Sequence, residues 1–156
     1  MSAIIALFSP FWPFLMGFSA YIFAGGWLAG NVVAFRIGAI MLAGYVLMRL
    51  SIASFDPSYI NAVSMFVWAA AASAIVGLRF DYGISTTPPI VALLLVLAGT
   101  CYLWAEITGA QSAFLAPHAL ASDALAIAAM LLGGRGLGGE LYRLFDDLGD
   151  AYWSSH

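Results

Sequence analysis

The sequence contains no lysine and few charged residues of either sign. Arginines and acidic residues together make up 8% of its 156 residues, whereas soluble domains carry roughly 25% charged residues. The absence of lysine excludes Schiff-base chemistry and a phosphate-binding P-loop, both of which need a lysine amine. The five arginines are too few and too scattered to form a basic surface, so we expect no nucleic-acid partner.

Cysteine is almost absent as well, since Cys101 is the single example. One cysteine excludes an intrachain disulfide and a cysteine-based zinc cage. The sequence also lacks a His-Glu-x-x-His motif and a Gly-x-Ser-x-Gly elbow, which argues against zinc-protease and α/β-hydrolase chemistry. We therefore expect neither a bound metal nor a cofactor.

Apolar residues dominate the chain and make up 63% of it. A bilayer core about 30 Å thick needs about 20 apolar residues of helix to cross it. Stretches of this length predict an all-α integral membrane protein, with a transmembrane bundle in residues 1–134. Its five predicted transmembrane helices cover residues 4–28, 32–49, 57–78, 88–107 and 117–133.

Prolines support most of these boundaries and weaken one of them. Pro57, Pro88 and Pro117 fall at predicted helix starts, where a missing N–H costs nothing. Pro10 and Pro13 instead interrupt the first third of the first predicted span. A kinked or interfacial first segment, which leaves four full spans, therefore stays open as an alternative.

Arginine positions predict the orientation of the chain. With five spans, one membrane face holds Arg36, Arg79, Arg135 and Arg143, and the other holds Arg49. Because basic residues near helix ends are retained on the cytoplasmic side, we expect the N-terminus outside and the C-terminus in the cytoplasm. The lysine-free composition indicates GC-rich coding and favours a bacterial inner membrane.

Polar side chains concentrate at the predicted outer ends of the helices. The candidate polar cluster consists of Arg49, Asp56, Asn61, Glu106, His118 and Asp123. Polar groups in lipid are costly, so they are paired, interfacial or functional. One interpretation is a structural ion pair from Arg49 to Glu106 or Asp123. The other is a proton, cation or small-ligand site in which these two carboxylates exchange and His118 titrates.

Small residues recur at four-residue spacing, which lets helices in lipid approach closely. The candidate packing positions are Gly26, Gly30, Ala34, Gly38, Ser73, Gly77, Ala124 and Ala128. The simpler interpretation is packing within one bundle. The alternative is a face for self-association or a partner subunit, most plausibly on the first or second helix.

Residues 135–156 predict a glycine-rich hinge followed by a cytoplasmic amphipathic helix. The glycines of the hinge match a dinucleotide-binding pattern, but they follow a transmembrane helix rather than a β-strand, so we interpret them as a helix stop. The candidate interface on the tail consists of Leu141, Leu144, Phe145, Leu148, Tyr152 and Trp153. Because the opposite face is acidic, the helix either floats at the membrane interface on apolar area alone or packs against a protein partner.

Three functional hypotheses fit these observations. The first is a non-enzymatic membrane module, either an accessory or assembly subunit or a self-associating, phage holin-like protein, whose partners are the lipid bilayer and other subunits or itself. The second is a small transporter or channel that uses Glu106 and Asp123. The third is a membrane-embedded enzyme that acts on lipid or quinone, for which the sequence identifies no nucleophile. We favour the first hypothesis from the sequence.

Overall fold

The computed structural model describes residues 12–54, 56–82, 86–110 and 116–154, and within these ranges it contains helices and no strand. A single turn of 3-10 helix, Pro57–Tyr59, precedes the third α-helix. The α-helices are α1 (Trp12–Leu28), α2 (Val32–Ser54), α3 (Ile60–Tyr82), α4 (Thr87–Thr108), α5 (Pro117–Gly133) and α6 (Leu137–Ser154).

Among the described residues, three helices are long and apolar enough to cross a membrane, over Val32–Ser51, Ile60–Gly77 and Thr87–Thr108. A fourth crossing is possible if Pro117–Gly133 and Leu137–Asp150, which meet at a bend of 43°, form one broken span. Helix α1 has 17 residues and is about 25 Å long, slightly short of a full bilayer core. The fold is therefore an all-helical membrane bundle with three to four candidate spans. Residues 1–11 of the first predicted span lie outside the described residues.

The helix ends carry the turn chemistry that their sequences indicate. Gly30 has φ 68°, the left-handed conformation that ends α1, and the N–H of Asn31 donates to the carbonyl of Gly26 at 2.8 Å. The side-chain oxygen of Asn31 then accepts from the N–H of Ala34 at 3.0 Å and caps α2. Gly109, with φ 65°, ends α4 in the same way. Three-residue turns such as the one between α1 and α2 force antiparallel neighbours.

Helices α1 and α2 approach at backbone distance. A Cβ atom on Gly26 would lie 2.4 Å from the nitrogen of Phe35, and one on Gly38 would lie 2.4 Å from the nitrogen of Phe23. The rings of the two phenylalanines stack beside this contact with centroids 5.0 Å apart. No side chain fits at either glycine, so these positions join the first two helices within one chain.

The bundle closes through α5, which packs on α4 and also contacts α1 and α2. Its core lies between these helices and consists of fully buried apolar side chains, among them Leu15, Ile22, Ile37, Met41, Ile75, Leu95 and Met130. Helix α6 contacts the end of α1 and otherwise extends away from this core. The bundle thus has one end built from the starts of α3 and α5 and the end of α4, which we call the outer end following the predicted orientation.

Candidate polar site in the outer half of the bundle

The outer end brings polar residues from several helices into the interior. Asn61, in the first turn of α3, is buried and donates its side-chain amide to the carbonyl of Ala110 at 3.2 Å. This hydrogen bond ties the start of α3 to the segment that follows α4. His118 lies in the first turn of α5 and is also buried. The outer end of the bundle interior therefore contains an amide and an imidazole.

Helix α5 presents three polar residues to the interior rather than to lipid. His118, Ser122 and Asp123 are all buried, since their face of α5 packs against the neighbouring helices. The imidazole of His118 stands edge-on to the ring of Tyr102 on α4, with centroids 5.7 Å apart. Its burial follows from the one-turn spacing between positions 118 and 122, which places both side chains on the same face.

Asp123 is the buried carboxylate of this group. Its charge acts on the phenols of Tyr45 from α2 and of Tyr102 from α4, so all three groups lie within electrostatic range of one another. The hydroxyl of Ser122 lies near the Tyr102 phenol without completing a hydrogen bond of ordinary geometry. Tyr45, Tyr102, Ser122 and Asp123 thus lie in one region of the bundle, where α5 contacts both α2 and α4.

Aromatic rings extend the site across α1, α2 and α3. The ring of Tyr45 makes edge-to-face contacts with Trp12 on one side and Trp68 on the other, each at 5.3 Å between centroids. The guanidinium carbon of Arg49 lies 5.8 Å from the centroid of the Trp12 ring, a cation–π distance. Tyr45 and Trp68 are each only 1% exposed.

Four polar atoms of this region are buried without a hydrogen-bond partner among the described residues. They are Tyr45 Oη, Trp68 Nε1, His118 Nε2 and Ser122 Oγ. Each unsatisfied polar group costs about 1–3 kcal/mol, so together they are a large burden for a small fold. The indole N–H can only donate, whereas the hydroxyls donate and accept and the carboxylate of Asp123 accepts. The set thus brings hydrogen-bond donors, acceptors and a carboxylate into one buried region.

The polar site ends at an apolar layer in the inner half of the bundle. Ile37 and Met41 on α2, Ile75 on α3 and Met130 on α5 are fully buried on the inner side of Tyr45 and Asp123. These side chains pack into one cluster. The site thus lies near the outer end, and a largely apolar layer separates it from the inner end. The buried hydroxyl of Ser19 lies at the level of Met130 and donates to the Leu15 carbonyl at 2.9 Å, with Met130 Sδ at 3.1 Å.

The predicted polar cluster divides into two groups in the structure. Asn61, His118 and Asp123 are buried, whereas Arg49, Asp56 and Glu106 are exposed. Glu106 follows Tyr102 by one helical turn but stands outside the buried group. Among the described residues, no three His, Cys, Asp or Glu side chains are grouped as metal ligands.

Asp56 has a local role at the start of the 3-10 turn. Its Oδ1 accepts hydrogen bonds from the backbone N–H of Ser58 at 2.9 Å and from the Ser58 hydroxyl at 2.8 Å. These hydrogen bonds, the backbone one first, hold the pKa of the Asp56 carboxyl below its usual range. Asp56 therefore organises the connection between α2 and α3 and is not part of the buried site.

Like Tyr102 and Ser122, the site residues Tyr45 and Trp68 lie outside the predicted polar cluster. Both lie in the middle of apolar helices, where an aromatic residue is usually a packing residue. A usable signal was the one-turn spacing of Tyr45 and Arg49, which places a phenol directly below the outer arginine.

The small residues proposed for packing also occupy different environments. Gly26, Ala34 and Gly38 lie in the α1–α2 contact, and Gly30 forms the turn after α1. The remaining positions are exposed on the outside of the bundle and comprise Ser73, Gly77, Ala124 and Ala128. Next to the exposed face of α3, Met65, Ala69, Val96 and Gly99 line a groove of about 140 Å³ between α3 and α4.

The tail residues lie on α6. Leu141 and Leu144 are half-buried, and Phe145 and Leu148 are exposed. The side chains of Tyr152 and Trp153 lie outside the described ones. No protein-family model, no curated protein and no solved structure matches this chain.

Proposed function

We propose that this chain is a multi-pass membrane protein that binds a small cationic or hydrogen-bonding solute, the proton included, at the buried site around Asp123, as a small transporter does. The observation that supports this proposal is the set of four buried polar atoms without partners beside a buried carboxylate. Ionisable residues inside a membrane bundle usually mark ion, proton or substrate sites.

A purely structural role explains these residues poorly. A structural cluster would satisfy its own donors and acceptors, because an unpaired buried polar group destabilises the fold. Here the Tyr45 hydroxyl and the Trp68 N–H are buried without such partners in the described part of the chain. Phenylalanine at position 45 would fill the same space without an unpaired hydroxyl. The presence of tyrosine is therefore better explained by binding.

The apolar inner half of the bundle favours a transporter over an open channel. A channel needs a continuous polar path, whereas Ile37, Met41 and Met130 close the interior on the inner side of the site. Passage would require a rearrangement that opens this layer. Alternation between outward and inward access is the usual means in transporters.

We further propose five membrane crossings, with the N-terminus outside and the C-terminus in the cytoplasm of a bacterial inner membrane. Helix α1 contains no charged residue and packs closely along α2, so it shares the depth of α2 in the bilayer. Helix α5 and the first turn of α6 then form the fifth crossing as a broken span. Arg36, Arg135 and Arg143 lie at the inner end in this arrangement.

Two carboxylates offer a matched test of the site. Asp123→Asn removes the buried charge, and Glu106→Gln removes an exposed one at the same end of the bundle. Thermal unfolding of purified protein in mild detergent is measured with ammonium, guanidinium, tetramethylammonium, choline and alkali cations, and at several pH values. A bound solute at 100 times its Kd adds about 2.7 kcal/mol of stability.

The proposal predicts that the wild type and the Glu106→Gln variant are stabilised by the same compounds, and that the Asp123→Asn variant is not. Equal stabilisation of all three proteins would place binding elsewhere. If no compound or pH change distinguishes Asp123→Asn from the wild type, the binding proposal is wrong.

A second candidate is the accessory or self-associating membrane module. The observation that favours it is the side of α3 that faces away from the bundle. Its small residues are exposed and leave room for another helix, and they are Ala70, Ser73, Ala74 and Gly77. Native mass spectrometry of the detergent-extracted protein tests it, since a defined complex supports this role and a monomer contradicts it. A membrane enzyme gains no support, because Ser122 Oγ and His118 Nε2 do not hydrogen bond to each other.

A further inference from the structure

Helix α5 ends before it reaches the inner end of α1. A Cβ atom on Gly134 would contact Ile22 at 3.2 Å, and one on Gly133 would meet Ile37 at 2.7 Å. Ile22 precedes the last residue of α1, Leu28, by six positions, which corresponds to about 9 Å along the helix. The end of α5 therefore lies about 9 Å short of the inner end of α1.

The first turns of α6 continue the structure to the inner boundary. Leu137 is fully buried, and its side chain and that of Leu141 lie about 3 Å from the Cβ position of Gly25 on α1. Glu140 accepts a hydrogen bond from the side-chain amide of Asn31, in the α1–α2 turn, at 2.9 Å. The apolar face of α6 thus begins as a packed contact with α1, and Glu140 marks the level of the inner helix ends.

Beyond Glu140 the apolar face of α6 continues without a cover in the described part of the chain. On this face, Phe145 and Leu148 are 62% and 57% exposed. Leu148 follows Glu140 by about 12 Å along the helix. With the 43° bend, and a tilt of α5 of up to about 20° in either direction, Leu148 lies about 5–11 Å beyond the level of Glu140. This range includes the headgroup region, which is about 5–8 Å thick on each side.

The charges of α6 indicate what covers this face. Asp146 and Asp150 are exposed on the side of the helix opposite Leu141 and Leu148, and Asp147 is exposed at the edge of that side. The exposed Arg143 lies there too and leaves a net negative charge. A basic protein partner would be drawn to the acidic side and would leave the apolar side uncovered. A lipid interface covers the apolar side and leaves the acidic side in water.

We propose that the apolar face of α6 lies in the headgroup region of the inner leaflet and is matched to zwitterionic rather than anionic lipid. Basic interfacial helices gain from anionic lipid through each basic residue near the surface. The acidic side of α6 is instead repelled by anionic headgroups, so anionic lipid weakens the contact between the helix and the membrane surface. The proposal does not depend on the solute site around Asp123.

The test uses the full-length protein with Cys101→Ala, reconstituted in phosphatidylcholine vesicles. A single fluorophore is attached at Phe145→Cys or at Leu148→Cys, with Asp147→Cys as the matched control on the acidic side. Brominated phosphatidylcholine reports contact with lipid, and aqueous iodide reports contact with water. Two apolar positions are used so that the failure of one variant to fold leaves the other.

We expect lipid quenching at positions 145 and 148 to exceed that at 147 at least twofold, and iodide quenching to show the reverse order. Replacing half of the lipid with phosphatidylglycerol should lower the lipid quenching at both apolar positions, and high salt should restore it. Equal iodide quenching at all three positions would show the helix in water and overturn the proposal. Protection from iodide without lipid quenching would show a protein cover, and would overturn it too.

Discussion

Replacing Tyr45 by phenylalanine removes one hydroxyl from the buried site and keeps the shape of the ring. The residue is 1% exposed, and Tyr45 Oη has no hydrogen-bond partner among the described residues. The edge-to-face contacts with Trp12 and Trp68 use the ring and are retained. Because a buried unpaired hydroxyl costs about 1–3 kcal/mol, we expect Tyr45→Phe to raise the free energy of unfolding by that amount.

For a chain of this length, 1 kcal/mol corresponds to about 2–4 °C in Tm, so the expected rise is roughly 2–12 °C. Thermal unfolding of the purified protein in detergent, followed by circular dichroism in the absence of added solute, measures it. Tyr21→Phe is the control, since Tyr21 is exposed on α1 and should change the stability by no more than about 0.5 kcal/mol.

The same substitution should weaken solute binding, because the hydroxyl is one of the donors that the site offers. Tyr45→Phe is therefore expected to separate stability from binding, with the first rising and the second falling. Destabilisation by more than about 1 kcal/mol would show that the hydroxyl is already well bonded in the native protein. That result would refute the assignment of an open hydrogen-bonding site.

Three further predictions concern the scaffold. Gly38→Ala should cost about 1–3 kcal/mol of unfolding free energy because its Cβ meets the backbone of α1, whereas Gly77→Ala, which meets nothing within 4 Å, should cost little. Asn31→Ala should cost about 1 kcal/mol more than Asn31→Ser in the same assay, because serine keeps an α2 cap and both variants lose the hydrogen bond to Glu140. The lowered pKa of Asp56 stabilises the fold above the unfolded pKa of about 3.9, and this stabilisation is lost as pH falls through the lower folded pKa. Asp56→Asn should therefore reduce the dependence of the unfolding free energy on pH between about pH 6 and pH 2.

Opposite outcomes would contradict each of these predictions. Equal losses for Gly38→Ala and Gly77→Ala would mean that the α1–α2 contact is looser than described. Equal losses for the two Asn31 variants would show that its side chain does not act as a cap. An unchanged pH profile for Asp56→Asn would show that the hydrogen bonds from Ser58 do not form in solution.

The membrane class and the helical fold follow from composition, because a chain with 8% charged residues has too few of them to form a water-exposed surface. The number of crossings does not follow as directly. Helix α1 is short by a few residues and α5 is broken from α6, so length alone supports three to four spans of the expected five. The pattern of apolar residues does not give the number of crossings when two consecutive helices share one crossing.

The candidate site could be predicted in part. Asn61, His118 and Asp123 stand out because each is a polar residue in an apolar run. Glu106 was grouped with them on the basis of depth, but depth does not decide which side of a helix is buried, and on α4 Glu106 is exposed whereas Tyr102, one turn earlier, is half-buried. Tyr45 lies in an apolar stretch of sequence, so the sequence does not mark it as a polar site. Only the packing of α2 against α5 brings it within electrostatic range of Asp123.

The central claim is that Asp123 belongs to a binding site. The most direct test is infrared difference spectroscopy of the purified protein, recorded with and without the compound of the cation panel that stabilises it most. We predict a change in the carboxyl bands that persists in Glu106→Gln and disappears in Asp123→Asn. A change that disappears in Glu106→Gln and persists in Asp123→Asn would contradict the claim and assign binding to the exposed carboxylate.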